Sequence, residues 1–77
     1  MGLKFEITKK EYNEIMYFGK RHLGVHVFKE RSSELVVGSN VTFVLDENTE
    51  IKVAVTYIIC SYNVMGISTK ELLFDIL

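Results

Sequence analysis

Seventy-seven residues, 48% apolar and 25% charged, are enough for one small globular domain, too short to divide burial between two cores and too apolar to stay disordered. The net charge of −1 conceals an asymmetry, because residues 1–31 carry seven basic groups against four acidic and residues 32–77 carry two against six, a field that could steer a polyanion or an acidic protein patch to one side. No stretch approaches the ~20 apolar residues that span a bilayer, no basic-then-apolar leader opens the chain, and a single cysteine, Cys60, excludes an internal disulfide, so a cytoplasmic setting is expected.

Leu3, Phe5 and Ile7 alternate with Lys4 and Glu6, the period of a strand with one buried face. At Thr8 the period changes. Thr8 and Glu11 have the spacing of a capping box, Tyr12, Ile15 and Met16 then recur on one helical face, and Gly19 stands where a left-handed cap ends a helix. A helix over Lys9 to Phe18 is predicted. Leu23, Val25 and Val27 alternate with Gly24 and His26 as a second strand, and the polar run Lys29 to Glu34 reads as a loop. Leu35-Val36-Val37 is short and apolar, with the turn residues Gly38-Ser39-Asn40 behind it. Val41, Phe43 and Leu45 form another alternating strand, and Asp46-Glu47-Asn48 turns the chain.

The longest strand, Glu50 to Cys60, is rich in β-branched residues. Unbroken alternation puts Ile51, Val53, Val55, Tyr57 and Ile59 on one face and Lys52, Ala54, Thr56, Ile58 and Cys60 on the other. Its second half is apolar on both faces and belongs in the sheet interior, where Cys60 reads as a buried small hydrophobe. Ser61 to Gly66 reads as a loop. The last segment has two readings: Ser68 and Glu71 repeat the capping-box spacing ahead of Leu72, Leu73 and Ile76, whereas Leu72, Phe74 and Ile76 alternate as a strand. Strand, helix, then several strands gives an α+β domain, a small partly closed β-barrel of five to six strands with one helix after the first.

The runs Leu3-Lys4-Phe5-Glu6-Ile7, Glu11-Tyr12-Asn13-Glu14-Ile15 with Gly19-Lys20, Leu35-Val36-Val37-Gly38, Val41-Thr42-Phe43-Val44 and Ile51 through Ile59 resemble the PUA-like superfamily, and within it the small ASCH-type domains and related short phage and bacterial proteins. The resemblance spans most of the chain. It implies a single PUA-like domain over residues 1–77, a barrel with the helix at one end, and a closing strand as the last segment. The glutamate and arginine that family members carry after Gly-Lys are replaced here by Leu23-Gly24-Val25-His26-Val27, and the family's Gly-Asp is Gly38-Ser39. These positions commonly line the ASCH cleft, so the resemblance carries neither the family's RNA-binding role nor its hydrolytic role onto them residue by residue.

Two binding sites are expected, with no catalytic set, metal or cofactor. Lys20, Arg21, His22, His26, Lys29 and Arg31 form a basic edge for the phosphates of RNA or single-stranded DNA, with Tyr12, Tyr17 or Phe28 available to stack bases. The alternative is a small phage-type interaction or inhibitor protein that binds a host protein through an exposed strand edge and the patch Tyr57, Tyr62, Val64 and Met65. A homodimer is compatible with either. His22 and His26 are about 13 Å apart along a strand, too far to share a metal ion. The five glycines are scattered singly, so no phosphate-cradling loop exists.

Overall fold

A computed structural model of the chain describes residues 3–28 and 33–77. Its elements in chain order are β1 (Leu3–Glu6), α1 (Lys9–Tyr17), β2 (His22–Phe28), β3 (Asn40–Asp46), β4 (Thr49–Val64) and β5 (Ile67–Ile76). The α+β expectation, with one helix after the first strand, holds. The strands form one sheet in the order β1-β3-β4-β5-β2, parallel between β1 and β3 and antiparallel elsewhere.

The helix begins as its spacing predicts. The Glu11 amide donates to Thr8 Oγ1 at 3.1 Å and the Thr8 amide donates to Glu11 Oε1 at 2.8 Å, so two amides at the helix start are satisfied reciprocally. Gly19, at φ 73°, takes the left-handed conformation that ends the helix. Only Ile15 of the helix is fully buried. It enters the same core as Leu23, Val25, Phe43, Val53 and Phe74, so the helix packs through a single anchor with Tyr12 beside it. Met16, expected on that face, is exposed.

The curl of the sheet is written into β4. Sixteen residues would run roughly 50 Å if straight, yet the longest dimension of the molecule is 33 Å. Two register shifts, between Val55 and Tyr57 and between Cys60 and Tyr62, are β-bulges, which bend a strand and add twist. The bend brings Phe43 of β3 against Phe74 of β5, ring centroids 5.1 Å apart and edge to face, although β4 lies between their strands. The result is a half-barrel whose concave side is the core.

Several expectations change. The extra residue at Thr56 shifts the side chains of residues 57–60, up to the second bulge, to the opposite face relative to unbroken alternation, so Tyr57 and Ile59 are exposed while Ile58 packs on the core. Cys60, expected buried, is exposed. Residues 61–64, read as a loop, continue β4, and Met65-Gly66 makes the turn with Gly66 at φ 74°. The last segment, by contrast, takes the strand reading that the resemblance implied, with Leu72 and Phe74 buried and Leu73 exposed. Lys70 is also on the buried side, only 8% accessible. Val36 and Val37 are exposed, and Leu35 alone of that triplet enters the core.

Candidate functional site

Among the described residues, the four members of the expected basic edge fall into two groups. Arg21 turns back to the helix, its Nη1 donating at 2.8 Å to the carbonyls of both Ile15 and Lys20. A cation there satisfies C-terminal carbonyls and complements the helix dipole. Lys20 Nζ lies 3.5 Å from Glu14 Oε1. His22 and His26 project from the outer face of β2 and meet β5, His22 Nδ1 lying 2.8 Å from Glu71 Oε1 and His26 Nδ1 lying 3.3 Å from Thr69 Oγ1. Lys29 and Arg31 lie outside the described residues. Of six expected contacts, four therefore have partners within the fold, and the structure separates them into a helix-end pair and a sheet-face pair.

Of the expected apolar patch, two side chains are described, Tyr57 and Met65. Tyr57 sits mid-sheet, whereas Met65 is at the hairpin tip and almost wholly in solvent, about 26 Å further along the strand path. The side chains of Tyr62 and Val64 lie outside the described residues.

Register assembles a different patch. Tyr57 of β4 stands opposite Leu73 of β5, which stands opposite His22 of β2. On the next outer rung Ile59 faces Glu71, and Glu71 faces Gly24. Tyr57, Ile59 and Leu73 are 57%, 48% and 37% exposed. They form an apolar strip on the convex face, bordered by the His22–Glu71 pair. Gly24 keeps this border low, since a Cβ there would meet Glu71 Oε2 at 3.2 Å. Opposite rungs place side chains within contact distance.

Sequence reading missed Ile59 and Leu73 as site residues. Each belongs to an apolar run, Ile58-Ile59 or Leu72-Leu73-Phe74, and in a strand such a run must place an apolar side chain on each face. That signal was present and needed only the strand assignment.

A second feature lies on the helix. Lys10, Asn13, Glu14, Phe18 and Lys20 line a groove of about 480 Å³, and its Phe18 is largely in solvent. Among the described residues no three His, Cys, Asp or Glu side chains converge as metal ligands, and no helix is long and apolar enough to cross a membrane. Compared with protein-family models, curated proteins and solved structures, the chain matches none.

Proposed function

We propose that this chain is a small PUA-like, non-catalytic interaction domain that binds another protein through its convex face, in the manner of short phage-encoded proteins that engage a host protein. The PUA-like part of this reading is supported by the helix after the first strand and by the curled five-stranded sheet. The binding part rests on one observation: Tyr57, Ile59 and Leu73 are adjacent, apolar and exposed on regular strand rungs. Scattered surface hydrophobes need no explanation, but a contiguous group bordered by polar residues is the composition of a protein contact, with tyrosine a favoured anchor.

The test is affinity capture from bacterial lysate with the unaltered chain and with a Tyr57→Ser/Leu73→Ser variant. The unaltered chain retains a stoichiometric protein that the variant loses. Equal capture by both, or capture by neither, removes the reading.

The groove on α1 favours a second reading, a module for RNA or single-stranded DNA. Lys10 and Lys20, the latter beside Glu14, line the same groove as the exposed Phe18, bringing cations to a stacking surface. On this reading single-stranded oligonucleotides are retarded at low salt, the retardation fades steeply as salt rises, and Phe18→Ala weakens it. Oligonucleotides unretarded at low salt exclude it.

A further inference from the structure

The two ends of the sheet are β1 and β2, and the curl turns them toward each other without joining them. Phe5, Glu6 and Glu11 on one side and Leu23, Gly24, Val25 and His26 on the other line a slot of about 250 Å³. Neither edge has a further strand partner among the described residues. Phe5 is only half-buried although it lies on the inward side of β1, as expected of a ring beside an unfilled seam.

The floor is apolar, from Phe5, Leu23 and Val25, and the rim carries the carboxylates of Glu6 and Glu11. One oxygen of Glu11 already accepts from the Thr8 amide. Glu6 is exposed. The volume falls below the ~300–1,000 Å³ typical of small-molecule pockets, while the slot is bounded along its length by two strand edges that present backbone donors and acceptors.

We propose that this seam takes an extended peptide segment of a partner protein as a sixth strand, pairing with β2 and closing the half-barrel toward β1. Apolar side chains at alternate positions enter the slot, and lysine or arginine at the intervening positions meets Glu6 and Glu11. Strand addition of this kind draws affinity from main-chain hydrogen bonds and specificity from alternate side chains. The site is distinct from the Tyr57–Leu73 strip and does not depend on it.

The probe is a blocked peptide of about eight residues alternating valine and lysine, long enough to cover the seven residues of β2. It is titrated into the labelled protein while amide resonances are followed. Shifts concentrate at Phe5, Glu6, Gly24 and His26. Replacing the lysines by glutamate, methylating alternate backbone nitrogens, or introducing Glu6→Lys each weakens binding by about tenfold or more. Tyr57→Ser leaves it unchanged, which keeps this site's outcome separate from that of the convex face. Equal affinity for the glutamate peptide, shifts centred on β4 and β5, or no binding of the lysine peptide overturns the proposal.

Discussion

Arg21 illustrates how a residue's role is decided by its nearest unsatisfied neighbours. Positive charge after a helix could face a ligand or fold back, and here the guanidinium reaches the Ile15 and Lys20 carbonyls at 2.8 Å each. Hydrogen bonds to a charged group contribute more than neutral ones, and solvent exposure reduces that advantage. Arg21→Ala is expected to lower stability by about 1 kcal/mol, read as a fall in the urea midpoint with unchanged slope, while leaving any oligonucleotide retardation as it was. An unchanged midpoint combined with lost retardation would show that Arg21 serves a ligand instead. The residues of the basic cluster were legible in the sequence, and what the described ones contact was only partly so. Lys20 and Arg21 find their partners locally, in Glu14 and the Ile15 and Lys20 carbonyls, but those of the histidines lie far away in the chain, Glu71 being 49 residues from His22 and Thr69 being 43 from His26, and local spacing carries no record of such pairings.

Elements were legible wherever a period ran unbroken. Thr8 and Glu11 announced the helix start, and Leu3 to Ile7, Leu23 to Val27 and Val41 to Leu45 announced their strands. What alternation could not reveal is a bulge, since one extra residue inverts the parity of everything after it without changing composition. Thr56 does this in β4: Val55 pairs with Phe74 and Tyr57 with the next residue back, Leu73. The consequence is testable within one dipeptide. Ile58 packs on the core and Ile59 is exposed, so Ile58→Ser is expected to cost about 1–2 kcal/mol from lost apolar burial and an added hydroxyl. Ile59→Ser stays within about 0.5 kcal/mol. Denaturant titration of the two variants discriminates directly, for an unbroken ladder predicts the opposite ranking. Strand order was equally beyond the sequence: that β1 lies parallel to β3 while β2 crosses to the far edge depends on how distant strands pair, which no local pattern encodes.

At the scale of the molecule, the two faces of the curled sheet divide the work. The concave face holds Phe43, Phe74, Ile15, Leu35 and Leu72, all essentially excluded from water. The convex face leaves Tyr57, Ile59 and Leu73 in solvent. A chain this short has little stability to spare, since a core below about 80 residues rarely supplies more than ~3–5 kcal/mol net. Phe74→Ala removes a buried ring together with its edge-to-face contact on Phe43, a change that costs about 3–5 kcal/mol in a core. Loss and reserve are thus of equal size, so the variant is expected to be largely unfolded at physiological temperature, with collapsed amide dispersion and no cooperative melt. Tyr57→Ser, near Phe74 but on the opposite face, is expected to melt within a few degrees of the unaltered chain, because exposed substitutions rarely move stability by more than ~0.5 kcal/mol. The comparison bears on function as well as folding: a tyrosine that contributes little to the fold remains available to a partner. If Tyr57→Ser unfolds the protein as Phe74→Ala does, the convex strip belongs to the fold itself and cannot be offered to a second protein.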